Sequence, residues 1–327
     1  MAEMTLLEAV NLALHHEMAS DPKVIVLGED VGDNGGVFRA TVGLKDKFGC
    51  KRVIDSPLAE ALIGGVTVGM ASQGLRPVAE FQLQGFVFPA LEHLMCHAAR
   101  LRNRTRGRLT CPAVFRAPFG GGIHAPEHHS ESVEALFAHT PGFKVVIPSS
   151  PQRAYGLLLA AIRSNDPVMF FEPKRIYRTV KSNVEDNGHA LPLDTCFTLR
   201  KGRDITLVTW GACVVESLQA ADQLSKQGIE AEVIDLASIQ PLDMRTIFAS
   251  LEKTGRLLIV HEACKTGGVG GEIIARTAEH AMCLLKAPPK RVTGMDTVMP
   301  YYRNEDYFMI QEADIITAAR ELVEGWK

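Results

Sequence analysis

The sequence predicts an α/β protein built as two consecutive domains, each a mainly parallel sheet covered by helices. Three observations carry this. Short, wholly apolar runs end in polar residues; amphipathic segments lie between most of them; and a polar, turn-rich stretch over 173–203 separates one such series from a second. Strands buried on both faces read as continuous apolar runs, and their alternation with helices is the pattern of parallel crossover units. In such sheets ligands gather at the carboxyl ends of the strands.

The first series opens with a helix over 6–18, where Leu6, Val10, Leu14 and Met18 share a face with Ala9 and Ala13. Val24-Ile25-Val26-Leu27 reads as a buried strand ending at Gly28-Glu29-Asp30. Strands follow at 53–55, 113–116, 145–148 and 168–172, with helices over 59–72, 88–102 and 153–163 between them. This order puts Glu29, Asp55 and the stretch after Arg116 at one rim. In the helix over 59–72, Glu60 sits in the first turn and Leu62, Ile63, Val66 and Met70 are the expected buried side. A carboxylate there is favoured by the helix dipole alone, so Glu60 by itself points to no chemistry. The run from Phe81 to Phe88, apolar with two amides, reads as a sheet edge.

Asn183, Asp186, Asn187, Gly188 and Pro192 mark the linker, and the expected domains are 1–185 and 186–327. The second series has strands at 205–208, 233–236, 257–260 and 291–292, and helices at about 214–226, 271–285 and 312–324.

A chain of 327 residues has room for two domains, and its 46% hydrophobic and 22% charged composition is that of a globular protein. A formal net charge of −3 supplies no basic field for nucleic acid or an anionic membrane. The seven cysteines are scattered, odd in number and never form Cys-x-x-Cys, the usage of a reducing compartment. The acidic start, Met1-Ala2-Glu3-Met4, lacks the basic and apolar regions of a secretory signal, and no apolar run is long enough to span a bilayer. The expectation is a cytoplasmic protein.

The densest polar cluster runs from Phe119 through Gly120-Gly121-Gly122 and His124 to His128-His129-Ser130-Glu131-Ser132. Its glycines allow close backbone approach to a ligand or another chain. A metal reading lacks His-Glu-x-x-His, and adjacent His128 and His129 should point apart. A serine-hydrolase reading of Ser130 lacks the Gly-x-Ser-x-Gly elbow. A histidine donating a proton or orienting a group beside a cofactor is the better reading. Gly267-Gly268-Val269-Gly270-Gly271 lacks the third glycine of a dinucleotide fingerprint, because Ile273 stands there, and reads as a tight turn into a packed helix.

Taken together, these residues resemble the beta chains of the decarboxylating component of 2-oxoacid dehydrogenase complexes. The resemblance covers the whole chain. It rests on Gly28-Glu29-Asp30-Val31-Gly32, Gly35-Gly36-Val37-Phe38-Arg39, Asp55-Ser56-Pro57-Leu58-Ala59-Glu60, Gly74-Leu75-Arg76-Pro77-Val78 and Gly120-Gly121-Gly122. It continues through Ser149 with Pro151, Asp166-Pro167-Val168, Glu172-Pro173-Lys174 with Tyr177-Arg178, Glu232-Val233-Ile234-Asp235-Leu236, Pro241-Leu242-Asp243 and Lys253-Thr254-Gly255-Arg256.

The resemblance implies a transketolase-like fold, with a parallel-sheet pyrimidine-binding domain followed by a smaller α/β C-terminal domain. It implies a thiamin diphosphate enzyme in which an alpha chain completes an α2β2 heterotetramer docked on a lipoyl acyltransferase core, acting on a small 2-oxoacid. The family's catalytic glutamate falls on Glu60, whose hydrogen bond to ring nitrogen N1′ would favour the imino form of the cofactor; a shielded carboxyl of raised pKa would suit that task. Phe86 falls on the aromatic position packed on the aminopyrimidine. Glu29, Leu58 and Gln82 fall on other positions lining that pocket. His129 falls on the histidine that assists decarboxylation and acyl transfer to lipoyl. Carbonyls of Ala113, Ala161, Ile162, Ser164 and Asp166 match a monovalent-cation (K+) site of some relatives.

Two features depart from the pattern. Glu131 stands where many relatives have Gln; its carboxylate either stabilises protonated His129 or faces solvent. The Mg2+-diphosphate signature, Gly-Asp-Gly with a later Asn, is absent, so the alpha chain should anchor the diphosphate. Stretch 118–127 looks more like pyruvate-type relatives than branched-chain ones, with branched-chain 2-oxoacids and acetoin as alternatives and a non-catalytic scaffold as the contrasting reading.

Overall fold

The computed structural model describes residues 2–325. The chain divides into two compact units: Met1–Phe119 with Leu136–Leu193, and Gly120–Ala135 with Asp194–Lys327. The segment bearing His129 therefore belongs to the second unit, although it is inserted in the sequence of the first.

In the first unit, β2 (Val24–Gly28), β3 (Val53–Asp55), β4 (Arg76–Glu80), β5 (Val114–Phe119), β6 (Lys144–Val146) and β7 (Val168–Pro173) run parallel in the order β6-β7-β5-β4-β2-β3. A separate antiparallel pair joins β1 (Ala2–Thr5) to β8 (Lys181–Val184). Part of the expected linker is thus a strand. Helix Leu6–Ser20 starts from a capping box in which Thr5 and Glu8 bond each other's main chain at 2.7 and 3.2 Å. It packs on helix Pro151–Arg163, which opens with Ser150 as cap and proline in its first turn. The core of this unit is aromatic: Phe81 stacks on Phe115 at 6.4 Å, and Phe137 meets Phe143 and Phe171 at 6.1 and 5.5 Å.

Three expectations need correction here. The run from Phe81 to Phe88 is not a sheet edge; β4 ends at Glu80 and a 3-10 helix occupies Gln84–Ala90. The helix expected over 88–102 is broken into that 3-10 turn, a π-helix over Glu92–Ala98 and a short α-helix over Leu101–Arg104, with Pro89 unable to donate a main-chain bond. In helix Glu60–Ser72 the buried side is Ile63, Gly64, Thr67 and Ala71, while Leu62 and Val66 are 47% and 38% exposed. Gly64 decides the face: a Cβ there would lie 3.0 Å from that of Ala90 and 3.2 Å from the Leu94 side chain, so this side closes tightly on the 3-10 and π turns.

In the second unit, β9 (Phe197–Arg200), β10 (Ile205–Thr209), β11 (Ala231–Asp235), β13 (Leu257–Cys264) and β14 (Lys290–Gly294) form a sheet in the order β14-β13-β10-β11-β9, with β9 antiparallel; β12 (Ser238–Gln240) is a further short strand. Helices Cys213–Lys226 and Glu312–Glu324 pack together over a core of Leu207, Val233, Leu258, Ala220 and Ile315. The glycine-rich turn before helix Val269–Ala281 is a packing turn, as expected: Cβ atoms on Gly268 and Gly270 would lie 2.9 and 2.8 Å from the His261 ring. Among the described residues, no helix is long and apolar enough to cross a membrane.

Candidate active site

The strand register of the first unit lines up its carboxyl rim. Gly28 pairs with Asp55 on one side and Glu80 on the other, Glu80 with Arg116, and Pro118 with Glu172. Glu29, one residue past β2, is 6% exposed, and its Oε1 has no hydrogen-bond partner among the described residues. Burial raises its pKa, the charge of Glu60 raises it further, and a hydrogen bond from the Ala59 main chain opposes both. Glu29 and Glu60 are thus brought together. Glu60 is half-buried and opens helix Glu60–Ser72. Phe86, half-buried, rides the 3-10 helix packed on that helix. Gln82 donates to Asp30 Oδ2 at 3.3 Å, tying the turn after β2 to the chain after β4. Leu58 is 81% exposed, left open by the other described residues.

Asp55, expected only as a rim residue, holds the neighbouring loop. It accepts the N–H groups of Gly32 and Asp33 at 2.6 and 3.3 Å and pairs with Lys45 at 3.2 Å. Burial would raise its pKa, but these bonds outweigh it and hold the carboxyl below its ordinary range.

Beneath the rim lies a charge network that sequence reasoning did not assemble. Arg116, 1% exposed, binds Glu172 through Nε and Nη2 at 2.6 and 2.9 Å and Glu80 through Nη1 at 2.8 Å, while the Tyr177 hydroxyl also donates to Glu172. Burial opposes the guanidinium charge, and the two carboxylates overcome it, raising the Arg116 pKa. Burial raises Glu80, with Arg116 opposing. Charges inside continuous apolar strands must be paired, and that was the available signal.

The five carbonyls proposed for a monovalent cation already accept internal donors. Those of Ile162 and Ser164 take Arg76 Nη1 at 2.9 and 3.0 Å; that of Asp166 takes the Ser164 hydroxyl at 2.9 Å. Those of Ala113 and Ala161 take the N–H groups of Val168 and Ser164 at 2.9 and 3.2 Å. A carbonyl has two lone pairs, so one remains on each. Among the described residues, no group of three or more His, Cys, Asp or Glu side chains could hold a metal ion.

His129 ends a 3-10 turn, Glu127–His129, in the second unit, so it does not share the frame of Glu29 and Glu60. It is half-buried, and its ring lies edge-on to that of His128, with centroids 6.4 Å apart and planes at 73°. Its main-chain N–H donates to the Pro126 carbonyl at 2.9 Å. Close by in sequence, Glu134 accepts the Trp210 indole N–H at 3.1 Å. Burial pushes the Glu134 carboxyl up to about 7. Trp210 stacks on His261 at 4.9 Å, and burial brings that imidazole down to about 4, so it is neutral at physiological pH.

Residues 2–180 match "Transketolase, pyrimidine binding domain" and residues 195–315 match "Transketolase, C-terminal domain". Across 99% of this chain and 100% of the relative, the sequence is 47% identical to the pyruvate dehydrogenase E1 component subunit beta of Bacillus subtilis (strain 168). It is equally 47% identical, with the same coverage, to the 2-oxoisovalerate dehydrogenase subunit beta of that organism. In structure it is similar to a split-gene transketolase described as an inactive beta4 tetramer, at a TM-score of 0.81, 21% identity and 98% coverage of both chains. A Pichia stipitis transketolase mutant gives a TM-score of 0.73 at 16% identity, covering 99% of this chain and 46% of that one.

Proposed function

The chain belongs to the transketolase-like family of E1 beta subunits, and from that premise we propose that it is the beta subunit of a pyruvate dehydrogenase (acetyl-transferring)-type 2-oxoacid dehydrogenase. It works in the cytoplasm with an alpha chain in an α2β2 heterotetramer, and delivers the acyl group to the lipoyl group of an acyltransferase core. The observation that carries the reading is the paired rim carboxyls. A buried glutamate with an unbonded oxygen, its pKa raised first by burial and then by the charge of a second glutamate, is costly unless a ligand completes it.

The rim fits an aminopyrimidine. Glu60 would bind the ring nitrogen, Phe86 would pack on the ring face, and Glu29, Leu58 and Gln82 would line the remainder. Thiamin diphosphate, when bound, supplies a nucleophilic carbon and an electron sink for loss of carbon dioxide. This chain's part is proton management and orientation. Glu60 would share a proton with the ring nitrogen, Glu29, its pKa raised by burial, would limit the negative charge beside it, and His129 would donate to the oxygen of the reacting 2-oxoacid and later orient the acyl acceptor. Mg2+ and the diphosphate fall to the alpha chain. K+ at the five carbonyls would need their second lone pairs.

A branched-chain substrate is the second reading, favoured by the equal identity to the 2-oxoisovalerate subunit. The test is turnover of the chain reconstituted with its alpha partner, thiamin diphosphate and Mg2+, using an artificial electron acceptor with pyruvate, 2-oxoisovalerate and acetoin. Pyruvate should be preferred, and Glu60→Gln should abolish turnover, a loss of at least about 10²-fold for general acid–base chemistry. An unimpaired Glu60→Gln enzyme would sink the catalytic reading in favour of a scaffold.

A further inference from the structure

Residues 120–135 leave the first unit after Phe119 and return to it at Leu136, yet they fold with the second unit. What the second unit offers this excursion is carboxylates. Glu262, on β13 and 8% exposed, accepts the Gly121 N–H at 2.6 Å and the Ser132 hydroxyl at 3.1 Å through the same oxygen. Glu305, fully buried, accepts the Gly122 N–H and puts its other oxygen 3.4 Å from His124 Nδ1. That same His124 nitrogen lies 3.0 Å from the Tyr302 carbonyl. Near the end of the excursion, Glu134 holds Trp210. The Gly120 N–H donates to the Glu131 carbonyl at 2.8 Å, closing the segment on itself. His129 lies between the bonded glycines and the bonded Ser132.

Hydrogen bonds from main-chain N–H groups to carboxylates are short and strong for their kind. The glycine run is their counterpart. A Cβ on Gly120, whose φ is +82°, would lie 2.8 Å from the Glu262 oxygen, and one on Gly121 would lie 2.9 Å from that of Glu305. Side chains at these positions would push the carboxylates off the backbone. The same carboxylate oxygen thus grips the segment on both sides of His129.

We propose that Glu262 is a positioning residue for His129, with Glu305 as a second anchor on the glycine side. Loss of the Glu262 acceptor releases Gly121 and Ser132 together, and the imidazole between them loses its fixed place while the pyrimidine pocket residues are untouched. This rests on the reading of His129 given above.

The test is a double-mutant cycle in the reconstituted α2β2 enzyme, with Glu262→Ala, His129→Ala and the pair. Glu262→Ala should lower kcat on the order of 10- to 100-fold, the scale of misplacing a reacting group by about 1 Å, with the Kd for thiamin diphosphate unchanged. Glu262→Gln, whose amide oxygen can still accept both bonds, should keep most activity. In the His129→Ala background, Glu262→Ala should cost nothing further. Full multiplicative loss in that background would overturn the proposal, since Glu262 would then act through something other than His129. If Glu262→Ala does not fold, Ser132→Ala removes one bond at the same oxygen and must show the same non-additivity. A His129→Ala enzyme as active as wild type is a separate outcome: it overturns the reading of His129 itself and the positioning role with it.

Discussion

At the scale of single residues, two glutamates with raised pKa values have different consequences. Glu29 has an unbonded oxygen at a rim where a ligand can complete it. Glu134 is buried against Trp210, and its cost is borne as stability. Its folded-state pKa is about 7 against an ordinary 4.5, so between those values the native state holds a proton that the unfolded chain releases. The stabilisation is complete below about pH 4.5 and is lost as pH rises through about 7, with a span of roughly 3 kcal/mol. Glu134→Gln removes the titration and keeps an oxygen for Trp210. Denaturant melts should therefore show wild type losing stability from pH 5 to 8 while the variant loses less, becoming the more stable of the two at pH 8. Parallel profiles for the two proteins would refute the assignment. Neither environment was legible beforehand. Glu29 and Asp55 could be put at one rim from the ends of apolar runs, but Glu262, Glu305 and Trp210 reach residues 120–134 from far along the sequence, where no local pattern marks them.

At the scale of elements, legibility followed burial on both faces. The runs at Val24–Gly28 and Val168–Pro173 are wholly buried and were readable as strands. Ala2–Thr5 and Lys181–Val184 are largely exposed and take their strand form only from each other, across most of a domain, so neither carries the pattern alone. Arg76–Glu80 is buried, but Pro77 and its flanking charges mask it. Helix Glu60–Ser72 was readable as a helix while its buried face was not, because glycine and threonine can face a core when the neighbour comes close. The consequence is an outward apolar side, Leu62 and Val66, next to the exposed Leu58. Replacing Leu62 and Val66 with serine should change the isolated chain's stability by no more than about 0.5 kcal/mol per site. The same pair should weaken assembly with the alpha chain by about tenfold or more, if this side is a buried contact there. Denaturant melts of the isolated chain read the first quantity and sedimentation of the mixed chains the second, and unimpaired assembly would assign this face to solvent.

For the whole molecule, the division of labour between chains follows from which chemistry the sequence holds. The rim of the first unit gathers the carboxyls of Glu29 and Glu60 and the amide of Gln82, and under the proposed function these serve a heteroaromatic base rather than a diphosphate. Among the described residues no cluster of His, Cys, Asp or Glu side chains could hold a metal ion. The buried Arg116 is already committed to Glu80 and Glu172, so it cannot serve a phosphate without leaving both carboxylates without their counter-charge, at a cost of several kcal/mol. The isolated chain should therefore bind thiamin diphosphate weakly even with Mg2+ present, and addition of the alpha chain should tighten binding by at least about 10²-fold, near 3 kcal/mol. Calorimetric titration of the cofactor into the beta chain alone and into the reconstituted tetramer measures the difference. Tight binding by the beta chain alone would mean that it carries a diphosphate anchor of its own, and the half-site reading would fall.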